Sequence, residues 1–206
     1  MCGVFRMASD KAGYAAHYHH QVTGWRNSSA QYGSVSIALH WVMLLLLIAV
    51  YATIELRGMF PKGSDPREAM KAWHFMLGLA VFVLVWLRLL IQATAGPAPA
   101  IVPVQPRWQA ASAKLMHALL YLFMIAMPIL GWLVLSAEGK PIPFFGVSLP
   151  ALLAENKESA KSLQEIHETV GELGYWLIGL HAAAALFHHY VVRDNTLGRM
   201  LFFARR

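Results

Sequence analysis

The chain has 206 residues, of which 57% are apolar and 14% charged, and its formal net charge is +6. A soluble domain carries roughly 25% charged residues, so the composition favours a membrane protein and, despite the basic balance, disfavours a nucleic-acid-binding one. A single cysteine, Cys2, excludes a disulfide framework, a cysteine-ligated iron–sulfur cluster and a covalently attached c-type haem. Histidine is in surplus, with ten residues.

A polar tail, residues 1–34, precedes the first apolar run. It lacks a cleavable signal pattern, and we predict a disordered cytoplasmic extension. The three histidines His17, His19 and His20 could hold a metal ion, but an unstructured extension or a later start codon is the favoured interpretation.

Four apolar runs follow the tail, each close to the roughly 20 residues that a helix needs to cross a bilayer. Backbone groups inside lipid must be hydrogen-bonded internally, so each run predicts a transmembrane helix. The predicted spans are residues 35–56, 72–92, 113–135 and 168–192. Loops rich in proline and glycine separate the first three, and the long third connection contains a short amphipathic helix through 159–168. We predict an all-α, integral membrane four-helix bundle over residues 35–206.

The distribution of charge predicts the orientation of the bundle. The tail, the second loop, the carboxyl end and span-end Arg88 together hold ten of the 17 lysines and arginines, whereas nine of the 11 acidic residues lie on the other side. The positive-inside rule therefore places both termini in the cytoplasm.

Histidines inside the spans mark the predicted functional site, because ionisable groups in a membrane are costly and face the bundle interior. His167 immediately precedes the fourth span, and His181 lies fourteen residues further along it. A helix of that length turns the two side chains to within about 40° of each other and separates them by ~21 Å. This spacing fits two haems stacked across a bilayer, each bound by one imidazole of the same helix.

The partners of these histidines must come from other spans at matching depth. On the outer side, His74 at the start of span two is the partner predicted for His167. On the inner side four histidines compete for His181, and the sequence favours two of them equally. The four are His40, His117, His188 and His189, and the two favoured ones are His40 and His117.

Two glycines and one arginine support the haem interpretation. Gly78 and Gly171 each follow an outer histidine by four residues, where a missing side chain leaves room for a porphyrin. Close helix packing is the alternative explanation. Arg88 lies fourteen residues after His74, where it could pair with a haem propionate or extend to the lipid headgroups.

Several motifs together resemble the prokaryotic cytochrome b561 family. They are His40-Trp41, Glu55-x-Arg57-Gly58, Trp73-His74, Ile166-His167-Glu168-Thr169, residues 179–190 with His181, His188 and His189, and Arg193-Asp194-Asn195-Thr196-Leu197. The resemblance covers about residues 35–206, and its last stretch is the most specific part. It implies a di-haem b-type cytochrome that moves single electrons across the membrane. One bacterial member oxidises superoxide to oxygen at the periplasmic side and reduces ubiquinone.

The resemblance also implies residue roles. His40 and His181 would ligate the inner haem iron, and His74 and His167 the outer one. His117 and His188 then become candidates for a quinone site, since a histidine can hydrogen-bond a quinone carbonyl and supply a proton.

Superoxide is a small anion, so basic residues near the outer entrance would raise its encounter rate. Lys71, one turn before His74, is the best-placed base; the others are Lys62, Arg67, Lys140 and Lys161. Two other functions stay open. The protein could be an electron relay or membrane anchor for a dehydrogenase or a periplasmic redox partner, or a histidine-lined transporter, which two levels of paired histidines make less favoured.

Overall fold

The computed structural model of the protein describes residues 24–202. Its four long helices are α1 (Ser34–Leu56), α2 (Asp65–Thr94), α3 (Arg107–Ala137) and α4 (Lys157–Phe187). Each is long and apolar enough to cross a membrane, which confirms the predicted four-helix membrane fold. Large apolar side chains such as Leu45, Leu90 and Leu180 are exposed on the outside of the helices, where lipid would cover them.

Three helices begin well before the predicted spans, and one of them is α3, which begins at Arg107 rather than residue 113. α2 begins at Asp65 rather than residue 72, and α4 begins at Lys157, so the short helix predicted through 159–168 is its first part. The Asn156 side chain caps α4 by accepting a hydrogen bond of 2.9 Å from the Ser159 backbone N–H. These turns extend beyond the hydrocarbon, where a helix needs no apolar run.

A small hairpin lies in the connection between α3 and α4, where no strand was predicted. Strand β1 (Ile142–Phe144) pairs antiparallel with β2 (Val147–Leu149), and Ile142 lies opposite Leu149. The two turn residues between them both have positive φ angles, 43° and 91°. Buried Ile142 packs against Leu79 of α2 and Leu135 of α3, so the hairpin lies against the outer half of the bundle.

The helices pack in sequence order, α1 on α2, α2 on α3 and α3 on α4. A core of Met43, Val81, Val85, Phe123 and Met124 joins the first three helices. Of these three, α4 closely approaches only α3. A gap therefore remains between α4 and the α1–α2 pair.

The inner end of the bundle is closed by residues from both ends of the chain. The Asn27 backbone N–H bonds to the Ala95 carbonyl at 2.9 Å, and the Trp41 indole donates to the Met200 carbonyl at 2.9 Å. Residues 24–33, at the end of the predicted tail, therefore pack against the second loop. Residues 1–23, with the three tail histidines, lie outside the described residues.

Candidate functional site

One histidine pair bridges α2 and α4 near the outer end of the gap. The ring centres of His74 and His167 are 6.2 Å apart. His74 Nδ1 lies 3.0 Å from the Val50 carbonyl oxygen, and because a carbonyl only accepts, this nitrogen donates and leaves Nε2 free as a ligand. His167 Nδ1 is buried and has no hydrogen-bond partner among residues 24–202.

The outer pair opens into a cavity of about 540 Å³, which is lined by both histidines and by three glycines. A β-carbon built on Gly78 would have no neighbour within 4 Å, and one on Gly171 would meet only Met127 at 3.5 Å. A β-carbon on Gly131 would lie 3.4 Å from the His167 ring. The backbone thus leaves open space beside both histidines, as the glycine spacing predicts.

A second histidine pair bridges α1 and α4 fourteen residues further along α4. The ring centres of His40 and His181 are also 6.2 Å apart. His117 of α3 lies nearer to His181, with ring centres 5.3 Å apart, and its Nδ1 is 2.6 Å from the Ala113 carbonyl of its own helix. The structure therefore brings both favoured inner partners to His181.

The separations within the pairs fit bis-imidazole ligation of a metal ion. Each metal–nitrogen bond is about 2.0 Å long and each nitrogen lies ~1.1 Å from its ring centre, so two opposed imidazoles on one iron have centres roughly 6 Å apart. The pairs His74–His167 and His40–His181 match this distance, whereas His117 is too close to His181. With an orphaned ring nitrogen, open glycines and the gap beside α4, the residues present fit b haems.

Arg88 lies beside the inner pair. One of its terminal nitrogens is 3.0 Å from His40 Nδ1, and its Nε donates to the Tyr121 hydroxyl at 3.1 Å. Tyr121 in turn donates to Gln92 Oε1 at 2.6 Å. The fourteen-residue spacing from His74 predicted the depth of Arg88. No sequence signal indicated that Tyr121 of α3 would contact Arg88, or that Gln92 of α2 would contact Tyr121.

His188 belongs to a separate polar cluster at the inner end. It lies on a π-helical turn, His188–Val192, that continues α4, and such turns recur at functional sites. Its Nδ1 is 2.7 Å from a carboxylate oxygen of Asp194, whose side chain is fully buried, and Gln105 donates to the same oxygen at 2.7 Å. Burial alone would raise the pKa of Asp194, but hydrogen bonds from Thr196, Gln105 and His188 lower it. The group is therefore a carboxylate that accepts from His188.

Charged side chains line the mouth of the outer cavity. Lys71 is among them, but its ammonium is 2.7 Å from Glu68, and Lys140 is 3.0 Å from Glu138. Arg57 lines the same mouth and has no carboxylate within ion-pair distance in the part of the chain that the structure describes. The sequence did not single out Arg57 for this position.

Two tyrosines that no motif indicated lie beside the outer pair. The rings of Tyr51 and Tyr175 are 4.3 Å apart. Tyr51 donates to the Gly171 carbonyl at 2.7 Å, and Tyr175 donates to Glu55 at 2.8 Å. These contacts join α1 to α4 across the gap and help to fix its width.

The sequence is similar to those of known cytochromes. A family model described as prokaryotic cytochrome b561 matches residues 31–203. Cytochrome b561 homolog 1 of Escherichia coli K12 is 42% identical over 171 residues, covering 83% of this chain and 97% of that protein. The probable superoxide oxidase CybB of Yersinia pestis is 40% identical over 171 residues, with coverage of 83% and 96%. Cytochrome b561 homolog 2 of E. coli K12 is 30% identical over 190 residues, covering 85% and 93%.

Proposed function

The chain belongs to the prokaryotic cytochrome b561 family of membrane electron-transfer proteins, and from this premise we propose that it oxidises superoxide at the periplasmic side of the bacterial inner membrane and reduces ubiquinone. Both termini lie in the cytoplasm, as the charge distribution predicts. Two superoxide anions give up one electron each and leave as oxygen. One ubiquinone takes up the two electrons and two protons and becomes ubiquinol.

The observation that carries the proposal is the pair of matching imidazole distances at two depths of one bundle. Members of the family bind b haems, and in this chain His74 and His167 would hold the outer one, while His40 and His181 would hold the inner one. When bound, the two haems supply acceptors and donors of single electrons at two depths of the membrane. Each haem would be held by two histidines, so the chemistry that it would supply is electron transfer rather than binding of superoxide at the metal.

The mouth of the outer cavity supports superoxide as the substrate. Its charged lining contains three bases and four acids, so attraction of an anion is local to Arg57 and Lys71 rather than spread over the surface. Arg57 presents an uncompensated charge among the described residues, and Lys71 lies one turn before His74. The printed name of the Yersinia pestis relative, probable superoxide oxidase, supports the same substrate.

The polar cluster at the inner end supports quinone reduction there. Asp194 accepts from Nδ1 of His188. With a proton on each ring nitrogen, the imidazole can also donate from Nε2 to a quinone carbonyl and pass it that proton. Gln105 fixes the carboxylate from the other side. His117 is the second residue proposed for this role, although its neighbours are His181 and its own helix rather than the His188 cluster.

Rapid mixing of the oxidised, purified protein with a superoxide pulse tests the proposal. We expect absorbance changes of reduced b haem with a rate constant on the order of 10⁸ M⁻¹s⁻¹, close to the diffusional ceiling, and reoxidation when ubiquinone is present. Slow reduction by superoxide would instead favour an electron relay that serves a dehydrogenase or a periplasmic redox protein.

Two lysine variants sharpen the test. We expect Lys71→Gln to lower the rate constant about two- to tenfold and to weaken its dependence on ionic strength. Lys62→Gln makes the same change of charge on the outer loop, away from the cavity lining, and should leave the rate close to that of the unmodified protein. Equal effects of the two variants would contradict local steering.

A further inference from the structure

The two histidine pairs differ in the charge that surrounds them. At the inner pair, Arg88 lies against His40, and no carboxylate among the described residues forms an ion pair with it. At the outer pair, the cavity lining contains three bases and four acids and thus a formal charge of −1. A cation without a carboxylate partner among the described residues therefore adjoins the inner pair, whereas acids outnumber bases by one in the lining of the outer cavity.

Hydrogen bonds hold the Arg88 guanidinium at this place. Its Nε donates to the Tyr121 hydroxyl, which in turn donates a hydrogen bond to Gln92 Oε1. An arginine stays charged in proteins, and in a medium of low dielectric its charge is only weakly screened over the few ångströms to the inner site. Extension to the headgroups would break these contacts, so Arg88 is a built part of the inner site.

The ring nitrogens that face away from the bound metal also differ. His74 Nδ1 donates to a backbone carbonyl, a partner that makes the imidazole a stronger electron donor and favours oxidised iron. His40 Nδ1 has a guanidinium beside it instead of an acceptor. If iron bound Nε2 of a neutral imidazole, Nδ1 would carry the proton and would have no carbonyl to draw on it, and the neighbouring cation would favour reduced iron. Both differences act in the same direction.

We propose that Arg88 is a positioning residue that sets the direction of electron flow, because its charge raises the reduction potential of the inner haem above that of the outer haem. This inference rests on the proposed placement of two haems at the two histidine pairs. An electron that enters at the outer side then moves downhill towards the inner side. No contact of Arg88 with a haem propionate is needed.

Equilibrium redox titration of the purified protein, followed by visible absorbance, tests the role of Arg88. In Arg88→Gln we expect the inner potential to fall by at least the equivalent of a tenfold change in the reduction equilibrium, which is 59 mV for one electron. The outer potential should stay nearly constant. Arg88→Lys, which retains the charge, should keep most of the inner potential, and Arg107→Gln, which removes a charge at the same end away from His40, should change neither.

A background variant identifies which haem responds. In His167→Ala only the inner haem remains, so its potential can be titrated alone with and without Arg88→Gln. If Arg88→Gln loses the inner haem, Tyr121→Phe serves as the second variant, because it removes a hydrogen-bond partner of Arg88 and keeps the charge of the arginine. It should lower the reduction potential of the inner haem by a smaller amount.

The outcomes separate the two proposals. The role of Arg88 would be overturned if the Arg88 and Tyr121 variants bind two haems and the reduction potential of the inner haem stays constant or rises. A rise would indicate that the guanidinium stabilises an anionic imidazole instead. A protein with two haems and the expected shift, but no fast reaction with superoxide, would overturn the substrate and leave the direction of electron flow standing.

Discussion

Gly174 lies where α4 comes closest to the side chains of α1 and α3, and its replacement by alanine should loosen the outer site. A β-carbon there would overlap the Tyr51 hydroxyl and the Phe123 ring, with Phe123 Cε2 only 2.7 Å away. Both side chains line the outer cavity, and Tyr51 donates to the Gly171 carbonyl. The added methyl group must therefore push α4 away or displace both rings.

The magnitude follows from these contacts. Overpacking of this kind costs about 1–3 kcal/mol, and loss of the Tyr51–Gly171 hydrogen bond costs about 1 kcal/mol more. Alanine also gains up to ~1 kcal/mol of helix propensity over glycine. Gly179→Ala gains the same propensity, and its β-carbon meets nothing within 4 Å, so the difference between the two variants isolates crowding at about 2–4 kcal/mol.

Thermal unfolding in detergent, followed by circular dichroism, measures this difference. We expect Gly174→Ala to melt on the order of 5–15 °C below Gly179→Ala and to lose outer haem absorbance first. Tyr51→Phe removes the overlapping hydroxyl, so Gly174→Ala should cost less in that background than in the unmodified chain. Melting of Gly174→Ala within about 1 °C of Gly179→Ala would refute the packing of α4 against Tyr51 and Phe123.

Three further predictions concern the cavity and the inner cluster. Gly78→Leu places a side chain in the open part of the outer cavity, so haem quantification should find the outer haem lost while far-ultraviolet circular dichroism keeps the helical signal; full haem content would contradict the cavity assignment. His188→Ala should slow reoxidation of reduced protein by ubiquinone about tenfold or more and leave the reaction with superoxide unchanged, whereas an equal slowing of both would place His188 outside the quinone site. Because the folded pKa of Asp194 is lowered below its ordinary 3.8, its carboxylate stabilises the fold above that pH and loses this contribution as the pH falls through the lowered value. Asp194→Asn should therefore cost about 1–3 kcal/mol at neutral pH and flatten the acid limb of a plot of melting temperature against pH, and an unchanged acid limb would count against the buried contact with His188.

Apolar runs were sufficient to predict the four spans, because the lengths of the runs follow directly from the thickness of the bilayer. The ends of the helices were less predictable. The first turns of α2 and α4 are polar, and only caps such as Asn156 indicate that the helix has already begun. The hairpin was missed because its strands have three residues each and its turn places Phe145 at φ 43°, a conformation that few non-glycine residues adopt.

The side-chain contacts of the site were also only partly predictable from the sequence. The helical period was sufficient to place His167 and His181 on one face at two depths, and the structure sets each of them opposite a histidine of another helix. Spacing alone could not separate His40 from His117, since the choice depends on ring separations of 6.2 and 5.3 Å across helices. The partners of Arg88 and His188 likewise come from distant parts of the chain, which no local pattern encodes.

Haem quantification in the purified protein tests the central claim most directly, that two histidine pairs hold one b haem each. We expect two haems per chain in the unmodified protein and in His117→Ala, one in His74→Ala and in His40→Ala, and none in the double variant His74→Ala/His40→Ala. One haem or none in the unmodified protein would contradict the claim. So would an inner haem that survives His40→Ala and is lost in His117→Ala.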